Sequence, residues 1–233
     1  MTGKIPSYKI VTFGTEKVGI IASTSEDVVA QSTLLGSPGI TKLDTGKALA
    51  RAIDLLQNQG VNKIIYLSGA LSVDEDIALT SSITGIDAVI ASYRGNFFSN
   101  ANSNLTKDPQ YAGAYPHVTP SPSGNPVYLA SAGEYGRFVG RLDLEFNDLG
   151  LVSSASGDTT EMTNAVPQDA SIQAKVEQRF AERATFIERK VGSTLVDIDG
   201  STPSCRFYEC TMGVLISEAF RLRYNTTIGV VNG

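Results

Sequence analysis

The sequence predicts an α/β protein followed by a smaller C-terminal unit, on three observations. Strand-like and helix-like segments alternate strand–helix–strand–helix–strand between residues 17 and 91, the pattern of parallel pairing. Residues 126–146 then alternate apolar and polar positions in the manner of an antiparallel edge or ribbon. Finally, one long amphipathic helix at 168–191 leads into a short β-α-β stretch that ends the chain.

Taken in order, YKIVTF (8–13) and KVGIIAS (17–23) read as strands around a Gly-Thr-Glu turn. Leu49, Ile53 and Leu56 recur at helical spacing over 44–58, and Gly60 stops that helix. VNKIIYLS (61–68) is a buried strand. Ser72-Val73-Asp74-Glu75 forms a capping box that opens a helix to about residue 83. Asp74 and Glu75 thereby gain a structural role at the positive end of the helix dipole, which is preferred here to metal binding. GIDAVIASYRGNFF (85–98) begins as a buried strand and breaks into a polar Tyr-Arg-Gly-Asn loop, at the strand end where α/β proteins tend to hold ligands. A long loop is expected over 93–125, rich in Asn, Ser, Pro and Gly. Strands follow at 126–132 and 138–146, with Gly133, Gly136 and Gly140 as turn residues at a spacing foreign to phosphate-cradling loops. Ile172, Val176, Phe180, Ile187 and Val191 line one face of the long helix. The tail reads as a strand at 193–198, a cysteine loop, a helix at 209–223 and a strand at 227–231.

The 233 residues, 42% hydrophobic and 18% charged, suffice to bury a core. A net charge of −5 excludes a broad electrostatic footprint for nucleic acid. No apolar run approaches the roughly 20 residues of a membrane span. The N-terminus lacks the apolar stretch of a signal peptide, so secretion would require that a signal had been removed or lay upstream. Cys205 and Cys210 allow a small disulfide loop or two ordinary thiols. Asn104 and Asn225 open N-x-[ST] sequons, in weak agreement with a secretory history. The single histidine, His117, excludes a multi-histidine metal site and is expected to face solvent in a loop.

Three stretches carry a family resemblance. VDIDGSTPSCRFYECTMGVLI (196–216) is similar to the opening of the C-terminal domain of animal-type ecto-5′-nucleotidases. AGEYGRFVGRLDLEFNDLG (132–150) resembles the closing strands of that family's metallophosphatase domain, and residues 60–98 resemble its two metal-bearing strands. The likeness runs over essentially the whole chain. It implies a partial metallophosphatase-type layered β-sandwich over 1–167, a connector helix at 168–191 and the start of the C-terminal domain at 192–233.

The family removes phosphate from nucleoside monophosphates with two divalent metals, such as zinc, which bind phosphate oxygens and activate a water. Residue 1 falls just after the family's Asp-x-His strand and Gly-Asn-His-Asp/Glu loop, so a truncated member is implied. Gly69 stands where a Leu-x-His pattern has its histidine, and Tyr93 where Gly-Gly-His-x-His/Asn has its first. Glycine has no donor, and a phenol replaces imidazole poorly as a ligand. Arg206 matches a substrate-holding arginine after the first cysteine, and Asn232 and Gly233 match the opening of an Asn-Gly-Gly-Gly-Ile-Arg segment. Val214 replaces a usual asparagine. The resemblance also implies a Cys205–Cys210 disulfide and an extracellular or secretory location.

The reading is therefore a catalytically degenerate relative, holding no metal cofactor, that acts as a binding or structural protein. The alternative is a metal-dependent 5′-nucleotidase, present as a fragment or completed by another chain. Arg94 reads either as a solvated loop residue or as a guanidinium that keeps a nucleotide phosphate pocket alive. Exposed strand edges and apolar faces of an incomplete sandwich imply self-association or a protein partner.

Overall fold

The computed structural model describes residues 6–25, 43–100 and 105–231. The chain divides into two compact units, 1–167 and 168–233.

In the first unit, β1 (Tyr8–Phe13) and β2 (Glu16–Ala22) form the expected antiparallel hairpin. Asp44 caps α1 (Thr45–Gln57) by accepting from the Lys47 amide at 2.8 Å. The helix lays Leu49, Ala52, Ile53 and Leu56 onto the sheet, against Ile21, Val61 and Ile64. Its close approach requires Gly19 in β2, because a Cβ there would lie 2.7 Å from a Leu56 methyl. β3 (Ile64–Leu67) and β4 (Ala88–Ala91) extend the sheet in parallel, joined by α2 (Val73–Thr80). The capping box is formed: Ser72 accepts from the Glu75 amide, and the Glu75 carboxylate accepts from the Leu71 amide.

The long loop expected over 93–125 is in fact structured. After a tight turn at Tyr93–Gly95, β5 (Phe97–Phe98) pairs in parallel with β6 (Tyr111–Gly113), and β7 (His117–Pro120) joins the main sheet. The sheet order is β1-β2-β3-β4-β8-β7. β8 (Pro126–Ser131) is therefore an interior strand, parallel to β4 and antiparallel to β7, and not the expected antiparallel edge. Burial of Val127, Leu129, Ala130 and Ser131 explains the difference: a strand covered on both faces does not alternate. His117 also departs from expectation. It lies half-buried in β7 with its ring stacked on Phe98 at 5.4 Å.

β9 (Phe138–Phe146) pairs with β10 (Val152–Glu161) in a separate two-stranded sheet. β10 is rich in Ser and Thr, with Gly157 and Asp158 at its middle and few apolar side chains; its pairing and side-chain anchors hold it. Asp158 accepts from the Ser99 hydroxyl at 3.1 Å and the Asn100 amide at 2.9 Å, and Thr159 donates to the Phe98 carbonyl at 3.0 Å.

At the opposite ends of β3 and β4 from the loop at 93–96, Asp87 accepts from the Ile64 amide at 2.7 Å. Burial pushes its carboxyl up to about 6 from 3.8, opposed by that amide and by Lys63. The native state then binds more protons than the unfolded chain between those two values. Stability accordingly falls as pH rises through that window, by on the order of 3 kcal/mol. Asp87→Asn keeps an acceptor for Ile64 without the charge. It is expected to match the parent near pH 4 and to exceed it by about 1–3 kcal/mol at pH 7, read as the difference in urea midpoints at each pH. A difference that does not vary with pH would exclude Asp87 as its source.

The second unit contains α3 (Ala170–Ile187), α4 (Thr202–Phe207) and α5 (Thr211–Tyr224). Asp169 caps α3 through the Ser171 and Ile172 amides. The Cys205–Cys210 disulfide joins α4 to the start of α5. The helix of the expected β-α-β stretch is present, but 193–198 and 227–231 are not paired as strands. Each segment leans on α5 instead. Asp199 exchanges hydrogen bonds with Thr211 and Met212, and Gly229 packs against the Ser217 carbonyl. Gly200 and Gly229 both line one cleft of about 520 Å³. Phe207, Tyr208, Leu222, Tyr224, Ile228 and Val230 of this unit are all exposed.

Candidate functional site

The parallel strands β2, β3 and β4 deliver their C-terminal ends to one place, as the α/β pattern requires. Ser23 follows β2, Ser68 and Gly69 follow β3, and Tyr93 follows β4. Ser23 shares a 2.6 Å hydrogen bond with the Tyr66 hydroxyl and accepts from the Gly69 amide at 3.3 Å. Ser68 donates to Asp76 at 2.8 Å and accepts from the Ala70 amide at 3.0 Å. A cleft of about 300 Å³ opens beside this network, lined among others by Ser23, Thr45, Tyr66, Gly69, Asp76 and Leu79.

Gly69 is not merely a position without a donor. A Cβ there would fall 2.5 Å from the Thr24 carbonyl carbon and 2.6 Å from the Ser25 nitrogen. The backbone after β2 thus lies in the space that a side chain on residue 69 would enter.

Tyr93 occupies its own position differently. Its side chain is fully buried, edge-on to Phe98 with ring centres 6.2 Å apart. Its hydroxyl and one carboxylate oxygen of Asp76 face each other without a well-formed hydrogen bond, both sealed from solvent. Burial, and then the adjacent Asp76 charge, holds the phenol far above its ordinary range, so no phenolate is presented. Burial likewise raises the Asp76 carboxyl, against the hydrogen bond of Ser68.

Tyr93 and Arg94 both take positive φ, 46° and 52°, which turns the Tyr93 ring inward and leaves the Arg94 side chain exposed. Gly95, at the last position of the Gly-Gly-His-x-His/Asn pattern, has φ 94° and the Gln110 amide where a Cβ would point. Gln110 also accepts from the Asn96 amide side chain through its carbonyl at 3.3 Å. The turn at 93–96 is therefore closed by protein atoms.

These residues do not fit a pair of divalent metals. Zinc sites draw on imidazole, thiolate and ionised carboxylate. Among the described residues no three His, Cys, Asp or Glu side chains gather, and this cluster offers two carboxyls: Asp76, of raised pKa, and Glu75, which is engaged at the start of α2. What the arrangement supplies is a part-buried hydrogen-bonded network that ties the ends of β2 and β3 to each other and to α2, with the Tyr93 ring packed beside it.

Other candidate positions fall elsewhere. Arg206 is exposed in the last turn of α4, in the second unit. Asn225 is exposed and ends α5 in the left-handed conformation. Asn104 and Asn232 lie outside the described residues. Sequence reasoning passed over Asp76, although its placement with Val73 and Thr80 at intervals of three and four puts it on the inward face of α2.

No model of a known protein family matches the chain. The chain is similar to human 5′-nucleotidase, with 32% identity over 221 residues, covering 94% of this chain and 37% of that protein. It is 31% identical to snake venom 5′-nucleotidase of Naja atra, covering 94% of this chain and 40% of the relative. Among solved structures, a 5′-nucleotidase precursor from Thermus thermophilus superposes with a TM-score of 0.73 at 27% identity, covering 96% of this chain and 43% of the other. The chain thus spans well under half the length of each of these three proteins.

Proposed function

The chain belongs to the 5′-nucleotidase family over the region it spans, and from that premise we propose that it is a catalytically degenerate member acting as a binding or structural protein. The observation that carries this reading is the occupancy of the ligand positions. Backbone atoms fill the space at Gly69, and the buried Tyr93 ring fills the other. Two-metal hydrolysis needs charged or imidazole donors pointing into an open cleft, and neither position supports that here.

A protein partner or a second copy fits the exposed apolar side chains of the second unit, which bury little against one another. An extracellular setting agrees with the Cys205–Cys210 disulfide and with the venom origin of one relative. In that setting Asn225 is the described sequon position open to glycosylation. Any remaining hold on a nucleotide phosphate would fall to Arg94 in the first unit or, separately, to Arg206 in the second.

The test is phosphate release from AMP by the purified chain with Zn²⁺ or Mn²⁺ against an EDTA control. The expected result is no release above the blank. Release abolished by EDTA would overturn the reading in favour of a metal-dependent 5′-nucleotidase. Sedimentation of the same sample reports the partner proposal: a clean monomer at micromolar concentration excludes self-association.

A further inference from the structure

A different part of the chain carries an inference that stands whether or not the protein retains any activity. Arg189–Lys190 is the sole adjacent pair of basic residues in the 233-residue sequence. It falls immediately after Glu188, which ends α3. From residue 188 to residue 197 every side chain is exposed, and the backbone adopts neither helix nor strand up to α4. The Glu188 amide still donates to the Ala184 carbonyl at 2.8 Å. Beyond it, residues 189–193 make no hydrogen bond or ion pair within the described residues, and local bonding resumes at Thr194 with Val196.

We infer that Arg189–Lys190 is a processing site for a serine endoprotease of dibasic specificity, cut at the Lys190–Val191 bond. Such an enzyme must bind several residues on either side of the bond in extended form, so a site inside a helix or sheet costs local unfolding. Here only the last turn of α3, held by the Glu188-to-Ala184 bond, has to open, and from Arg189 to Ser193 no bond is lost. Among the described residues, exposed single basic residues such as Lys9 in β1, Arg141 in β9, Lys175, Arg179 and Arg183 in α3, and Arg223 in α5 sit within regular structure, and Arg94 sits in a tight turn. No proline follows the pair; Val191, Gly192 and Ser193 can all extend into a cleft. The secretory setting implied by the disulfide is where extracellular processing occurs.

The reaction is hydrolysis. Water adds across the peptide bond, leaving a carboxylate on Lys190 and a free amine on Val191, with no change of oxidation state. Both sulfurs of the Cys205–Cys210 bond lie in the second product. No covalent tether therefore remains between 1–190 and 191–233.

The experiment incubates the full chain with a dibasic-specific endoprotease and follows intact mass over time. Arg189→Gln and Lys190→Gln, both at exposed positions, run in parallel, their folding checked by circular dichroism. The expected result is a single cut with Lys190 and Val191 as the new ends, slowed about tenfold or more in either variant. Trypsin, which needs one basic residue, should still cut Arg189→Gln after Lys190. The inference is overturned if the parent stays intact where a reference dibasic peptide is cleaved. A first cut elsewhere, or variants cut at the parent's rate, overturns it equally.

Discussion

Gly69→Ala is expected to lower stability by about 2–3 kcal/mol, an effect out of scale with one added methyl group. The reason is that the new Cβ would meet backbone, at 2.5 Å from the Thr24 carbonyl carbon. A flexible side chain could swing aside, whereas here main-chain atoms of Thr24 and Ser25 must shift, next to Ser23 and its hydrogen bonds to Tyr66 and the Gly69 amide. Gly69→His is expected to cost more, and pairing it with Tyr93→His is expected to restore neither metal binding nor hydrolysis. Urea denaturation and metal titration of the purified variants give the two readouts. Recovery of EDTA-sensitive AMP hydrolysis in the double variant would mean that the backbone yields and that only the side chains were missing.

The second large effect lies at Tyr93. Removing a fully buried aromatic ring leaves a cavity, and Tyr93→Ala is expected to cost about 3–5 kcal/mol. Tyr93→Phe should behave in the opposite way. It removes a buried hydroxyl that makes no sound hydrogen bond, so the parent's stability should be kept or raised by about 1 kcal/mol. The contrast decides what Tyr93 does. If Phe costs as much as Ala, the hydroxyl is an essential bonding group; if Phe is neutral, the ring is the contribution and the residue is a packing element.

Much of the first unit was legible because its signals are local. The repeat of Leu49, Ile53 and Leu56 before Gly60 marked α1, Ser72 with Glu75 marked α2, and continuous apolar runs marked β3 and β4. What escaped was decided by partners distant in sequence. β10 has few apolar side chains and exists because β9 lies beside it, with Asp158 tied back to Ser99 and Asn100. β7 and β8 were misplaced because only the tertiary fold reveals that β4 is the neighbour of β8. Conversely, 193–198 and 227–231 have strand composition and found no ladder.

At the site, residue identity was readable but its surroundings were not. That Gly69 and Tyr93 lack imidazoles follows from the sequence alone. That Thr24 and Ser25 cover the first, and that the ring of the second turns inward on a backbone of positive φ, depends on atoms well removed along the chain. Asp76 shows the same split: its periodicity points inward, but its bond to Ser68 bridges eight positions.

The strand order also bears on how the chain is made. β1 to β4 occupy the sheet in the order in which a ribosome would release them, each added to the edge left by the one before. That sequence of additions then stops. The strand that covers β4 begins only at residue 126, after β5, β6 and β7 have emerged. At about 5–20 residues per second, the edge of β4 waits roughly two to seven seconds during synthesis with its amides and carbonyls unpaired. A nascent chain paused between residues 91 and 126 is therefore the form of this protein most open to pairing with a neighbour, and the stage at which a chaperone would have most to protect.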